Sequence, residues 1–191
     1  MSKTNQELEF LEIYTFDGLK TGKKESKSLI HKKGMFHSTV HIWIFTEKGN
    51  VLIQKRSKKK KLNPGVWDVS VAGHIKYKEG IKAAAIRETF EETGICIKEK
   101  DLLKLGIYTS VSNHAKIIDK EFHHTYILKI DEVKINLNYK NDEVDNLKLI
   151  SLEEMDLLLN QNNRDIFIGK NKNYYKDVFE AILKITKLNY Q

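Results

Sequence analysis

The chain of 191 residues has one cysteine, one proline and three arginines. A lone cysteine, Cys96, excludes an internal disulfide and fits a reducing compartment. It reads as a packing residue. With Pro64 as the sole proline and no stretch rich in Gly, Ser or Pro, the chain offers no flexible linker, and it has no internal repeat. No apolar run nears the roughly 18 residues of a membrane-spanning helix. The N-terminal MSKTNQELEF lacks the apolar stretch of a secretory signal. The expectation is one soluble, cytoplasmic domain over residues 1–191. Apolar residues make up 40% of the chain, enough for a core.

The net charge is +7 and its source is lysine; the arginines are Arg56, Arg87 and Arg164. Such an excess suits nucleic acid or an anionic small substrate. A lysine-rich surface, in a chain whose Lys, Asn and Ile usage matches an AT-rich genome, accounts for it equally. Nucleic acid is therefore not an expected partner.

Glu9 to Phe16 reads as a strand with a turn at Asp17-Gly18, opening an N-terminal strand or hairpin over about 8–30. His37 to Phe45 is a strand rich in β-branched and aromatic residues, and Gly49-Asn50 turns it into Val51 to Lys55 as a hairpin. Ser57 to Asn63 is a basic loop with four consecutive lysines, Lys58 to Lys61. Val66 to Val71 is a short strand. A helix spans Ile81 to Thr93, with Ala84, Ala85 and Phe90 inward and Gly94 as its stop. Leu102 to Val111 and Glu121 to Ile130 are further strands. Ser151 and Glu154 form a capping box that starts a helix. Apolar residues at helical period place a C-terminal helix over about 174–189. Such a mixture is an α/β class with a mixed central sheet between helices.

Glu88, Glu91 and Glu92 stand at i, i+3 and i+4, which puts them on one face of the Ile81–Thr93 helix. Like charges so close call for a cation, and a hard divalent ion takes oxygen ligands and bridges to phosphate. The surrounding segment, GHIKYKEGIKAAAIRETFEETGI from Gly73 to Ile95, resembles the Nudix box, GX5EX7REUXEEXGU with U a bulky aliphatic residue. Every fixed letter is present: Gly73, Glu79, Arg87-Glu88, Glu91-Glu92 and Gly94. The departure is Thr89 at the first aliphatic position, where its methyl group can pack.

The resemblance implies a Nudix α/β/α sandwich, with the box forming a loop–helix–loop. It implies that Glu88, Glu91 and Glu92 bind Mg2+, or Mn2+, with the Gly73 carbonyl as a further ligand. A diphosphate would then be cleaved by water attack on phosphorus. Arg87, four residues before Glu91, is placed to orient that carboxylate and to reach Glu79.

The runs QKRS (54–57), NPGVWD (63–68) and SVAGH (70–74) resemble the Nudix branch related to type I isopentenyl-diphosphate isomerase. That enzyme uses a cysteine immediately before the Gly-His pair to move protons at carbon. Here Ala72 stands there, and a methyl group transfers no proton. His37 and His74 fall where that family places histidine ligands, and Asp119 and Glu121 fall near its paired acids. His31, His37 and His41 are otherwise unexplained, as ligands or as hydrogen-bonded residues on a strand edge. Glu121 is a candidate metal ligand or general base opposite the helix. Of His123 and His124, at most one points at the site. Arg56, Lys55, Trp67 and His74 are candidate substrate contacts; for Trp67 a core position serves as well, and for the lysines a solvated loop. Before the first acid of the box, where many relatives have glycine or a small residue, this chain has Tyr77-Lys78.

The expected activity is a Mg2+-dependent diphosphate hydrolase acting on a nucleoside diphosphate-linked or related small organic diphosphate. The alternatives are an isopentenyl-diphosphate isomerase, which Ala72 disfavours, and a nucleotide-binding module without catalysis. A monomer or a homodimer is expected, pairing through the N-terminal strand or C-terminal helix if the latter.

Overall fold

Between Phe36 and Phe45 alternate side chains divide into a polar and aromatic set (His37, Thr39, His41, Trp43) and an aliphatic set (Val40, Ile42, Ile44). A strand with two such faces needs a different cover on each side. The computed structural model, which describes residues 9–114, 117–160 and 172–187, builds the fold around it. In chain order the strands are β1 (Phe10–Tyr14), β2 (Lys20–Ser26), β3 (Phe36–Phe45), β4 (Val51–Arg56), β5 (Trp67–Asp68), β6 (Val71–His74), β7 (Leu103–His114), β8 (Ile117–Lys129) and β9 (Val144–Ile150). The helices are α1 (Lys27–Lys33), α2 (Ile81–Thr93), α3 (Leu152–Asn160) and α4 (Lys172–Thr186).

The nine strands make one mixed sheet. β3 runs parallel to β8 from Phe36↔Lys120 to Phe45↔Lys129, and antiparallel to β6 from Thr39↔His74 to Ile42↔Val71. Its aliphatic face meets α2 in a core of Val40, Ile42, Ile44, Ala84 and Ala85. Trp43 and Phe45 on the other face meet Met155 of α3 and Tyr174, Val178 and Ile182 of α4. The result is an α/β/α sandwich. α3 begins with the reciprocal cap read from the sequence: Glu154 N–H donates to Ser151 Oγ at 3.1 Å, and Ser151 N–H donates to Glu154 Oε2 at 3.0 Å. No helix among the described residues is long and apolar enough to cross a membrane.

Several expectations are corrected. The expected β3–β4 hairpin forms, but its pairing stops at Phe45↔Val51, because β8 and β6 take the two edges of β3. β3 is a central strand, not an edge, which is why His37 and His41 are buried. The strand expected over Val66–Val71 splits into β5 and β6. The N-terminal hairpin β1–β2 is followed by α1, which the sequence reading lacked. Phe90 is 54% exposed: on α2 the inward positions go to Ala84, Ala85, Glu88, Thr89, Glu92 and Thr93. Cys96 is exposed rather than packed. Residues 188–189 of the expected C-terminal helix, and Arg164, lie outside the described residues.

Candidate functional site

α2 ends where Gly94 adopts φ 73° and donates its N–H to the Phe90 carbonyl, a left-handed cap suited to glycine. Within the helix, Thr89 is buried and its hydroxyl donates to the Ala85 carbonyl at 2.6 Å. Glu88 and Glu92 share this inward face, 6% and 1% exposed, while Glu91 stays at the rim. Gly73 of β6 lies directly against Glu88: a Cβ there would sit 1.9 Å from the Glu88 Cδ. Only hydrogen fits between strand and carboxylate.

Arg87 ties this face together. Its Nε and Nη2 donate to the two Glu79 oxygens at 2.7 and 2.8 Å. Nη1 donates to Glu88 at 2.7 Å and Glu91 at 2.9 Å, and Nη2 also reaches the His74 carbonyl. A planar fork is needed for that set. Glu92 Oε2 accepts from Gln54 Nε2 at 2.6 Å and from the Ala72 N–H at 2.8 Å. Its other oxygen is buried with no hydrogen-bond partner.

Burial pushes Glu88 up to about 7, with Arg87 opposing and the Glu91 and Glu143 charges adding to the rise. Burial pushes Glu92 up to about 8, with Lys60 opposing and Glu88 adding. Two buried acids that resist ionisation, one with an orphaned oxygen, suit a hard divalent cation with an all-oxygen donor set. The residues therefore fit Mg2+.

A second group lies across β6. His74 pairs with Thr39 and Ala72 with His41, so both face the polar side of β3, away from the Gly73–Glu88 contact. The donor atoms of His31, His37 and His74 lie within 4.8 Å of one another, as do those of His37, Asp119 and Glu121. The three histidine Nε2 atoms are buried without hydrogen-bond partners. His37 Nδ1 is 3.2 Å from the Met35 carbonyl, so its N–H points there and Nε2 faces Glu121 Oε1 at 3.5 Å and Asp119 Oδ1 at 3.7 Å. Burial lowers His31 to about 4 and His74 well below the usual value, leaving both neutral with lone pairs exposed to the cluster. His37 is raised: burial works against it, but Glu121 and Asp119 outweigh that. Glu121 lies well below the carboxylate range; burial opposes, and His37, His123 and His74 outweigh it. Imidazole nitrogens beside carboxylate oxygens suit a divalent first-row transition ion better than Mg2+.

The structure thus gathers Glu88, Glu91, Glu92, Arg87 and Gly73 on one side of β6. It gathers His37, His74 and Glu121 on the other, with Glu121 off the helix side. Of His123 and His124, it is His123 that approaches Glu121, at 3.6 Å. The remaining candidates are engaged otherwise. Arg56 donates to Asp68 at 3.2 Å and to the Leu62 carbonyl. The Lys55 ammonium sits 5.7 Å from the ring centroid of Trp67, which packs on the apolar core of the α4 side.

Other contributors went unread. Gln54 carries no motif signal of its own, yet its amide holds Glu92. Tyr139 and Asn141 donate to the Glu91 carbonyl, anchoring the C-terminal end of α2. Lys60 pairs with Glu143 at 2.5 Å. The Tyr77-Lys78 departure has a structural counterpart: Lys78 has φ 64°, a left-handed conformation that glycine adopts at less cost.

A family model for the NUDIX domain matches residues 35–168. An uncharacterized Nudix hydrolase of Clostridium acetobutylicum is 32% identical over 204 residues, covering 93% of this chain and 98% of that protein. Isopentenyl-diphosphate Delta-isomerase 2 of Photorhabdus laumondii is 35% identical over 142 residues, 74% of this chain and 76% of the enzyme. Among solved structures, a Deinococcus radiodurans protein superposes with a TM-score of 0.64 at 18% identity, covering 92% of this chain and 98% of that one.

Proposed function

The chain belongs to the Nudix family, and from that premise we propose that it is a divalent-metal-dependent hydrolase of a small organic diphosphate, nucleoside diphosphate-linked or related. The observation that carries the reading is the buried pair Glu88 and Glu92, pressed against Gly73 and the Ala72 N–H. Glu88, Glu91, Glu92 and the Gly73 carbonyl would hold Mg2+ or Mn2+. When bound, the ion supplies a Lewis acid for phosphoryl oxygen and an acidified water. Arg87 keeps Glu88 and Glu91 in position and Glu79 keeps Arg87. His37, Glu121, Asp119, His31 and His74 would hold a second ion beyond β6. Lys55, Arg56, Trp67 and His74 are the proposed substrate contacts; for Arg56, that requires giving up Asp68 or Leu62. A panel of nucleoside diphosphate derivatives, dinucleotides and coenzyme A, assayed with Mg2+ and Mn2+, tests this. Turnover of none, or equal turnover by Glu92→Gln, would sink the proposal.

One observation favours a second reading. The histidine and acid cluster is complete, and the isomerase of Photorhabdus laumondii is among the relatives. Against it stands Ala72, on the same face of the sheet as that cluster and opposite His41, whose methyl packs on the apolar core of the α4 side. Incubation with isopentenyl diphosphate and Mg2+ should yield no dimethylallyl diphosphate; its appearance would reverse the order of the two readings.

A further inference from the structure

Beneath α4 a buried polar chain leads from the C-terminal helix to Glu121. The Tyr174 hydroxyl lies 2.8 Å from Trp43 Nε1 and 2.9 Å from His41 Nδ1. Indole N–H only donates, so the tyrosine oxygen accepts there, and the same hydroxyl meets His41 Nδ1. The contact sets the orientation of the His41 ring. Its ring stacks on that of His123, centroids 3.9 Å apart and planes 20° from parallel. His123 is held at both nitrogens: Nδ1 is 2.8 Å from Thr39 Oγ1, and Nε2 is 2.8 Å from Ser110 Oγ. Nδ1 also faces Glu121 Oε2 at 3.6 Å, while the other Glu121 oxygen faces His37 and His74. The 3.6 Å approach to the carboxylate is longer than a hydrogen bond, and it is the Thr39 and Ser110 hydroxyls, one at each nitrogen, that hold the ring beside Glu121.

We propose that His123 is a positioning residue for the Glu121 carboxylate of the histidine metal centre, and that α4 sets its place through Tyr174 and His41. The inference rests on the reading of His37, Asp119 and Glu121 as metal ligands. Outer partners of ligating carboxylates typically alter metal affinity by about 10–100-fold. On this account the C-terminal helix is a working part of the centre rather than a cover for the core.

The test titrates metal-free protein with Co2+, following the visible bands of nitrogen-ligated cobalt, which report the histidine centre and not the oxygen-only glutamates. Tyr174→Phe keeps the ring and removes the hydroxyl; His123→Leu removes both nitrogens. Each should raise the Co2+ Kd about tenfold or more. His123→Asn, whose amide can still donate toward Glu121, should recover most of the affinity. Thermal unfolding of the metal-free variants runs in parallel. Lower melting temperatures with unchanged Kd would mean a structural role only and overturn the proposal. Equal losses in His123→Asn and His123→Leu would overturn it too. Wild-type protein that gives no nitrogen-ligated cobalt spectrum would refute the metal-centre reading itself, and this inference with it.

Discussion

Replacing Glu92 by Gln should stabilise the metal-free protein while abolishing its activity. The folded-state pKa of Glu92, about 8, lies above its ordinary 4.5, so the native state binds more protons between those values. Stability therefore falls as pH rises from about 4.5 through about 8. At pH 7.5 the ionisable acid costs about 4 kcal/mol relative to a neutral group, at 1.36 kcal/mol per unit. Glutamine removes that cost. Its amide nitrogen would take the place of the partnerless oxygen, and a buried unsatisfied donor costs about 1–3 kcal/mol. The net gain is about 1–3 kcal/mol, or roughly 2–12 °C in Tm for a chain of this size. Calorimetry in chelator from pH 5 to 8.5 should show the variant melting higher at alkaline pH, with a flatter pH dependence than wild type. Mg2+ should stabilise wild type most at high pH and the variant little. Hydrolysis should fall by several orders of magnitude. A chelated variant that melts lower at pH 8 with the wild-type slope would refute the reasoning.

Gly73→Ala should leave melting within a few degrees, because the displaced Glu88 carboxylate can swing away, yet lower kcat about 100-fold through misplacement of a ligand; full activity would remove Glu88 from the site. Arg87→Met leaves Glu79 and Glu88 facing each other unpaired, and denaturant unfolding should register a loss of about 3–5 kcal/mol. Arg87→Lys restores the charge but not the fork, and should recover only part of it. Because Glu121 and Asp119 raise the proton affinity of the buried His37, uptake of a transition ion should release protons, more of them as the pH is lowered from 8 to 6, measurable by calorimetry in buffers of differing ionisation enthalpy. Zero release would place the ion elsewhere.

The box was legible because its chemistry is local: 23 contiguous residues carry ligands, hub arginine and cap glycine on one helix and its approach. The α2 bounds and the Ser151–Glu154 cap were legible for the same reason. Phe90 misled because hydrophobicity was read as burial, whereas the inward face had been given to Glu88 and Glu92. The β3–β4 turn was legible but the shortness of its pairing was not, because a turn signal is local and strand partnership is not: β4 pairs at length with β9, about ninety residues later. α1 carries a single buried residue, Ile30, too little for a periodic signal. The histidine centre draws on α1, β3, β6 and β8, so spacing along the chain could name its members only through resemblance and could not show that they meet.

β6 is one strand thick, and it divides two clusters of opposite character by the alternation of an extended backbone. Gly73 gives the carboxylates room; the side chains of its neighbours Ala72 and His74 lie on the histidine side. Parity, not only identity, is therefore under constraint. A single residue inserted or deleted between Val71 and His74 would exchange the two sides, presenting a bulky group to Glu88 and a bare glycine to Glu121. Evolution can substitute within this stretch or lengthen the loops around it, but can change its length only in steps of two, so new specificities have to be written at its margins.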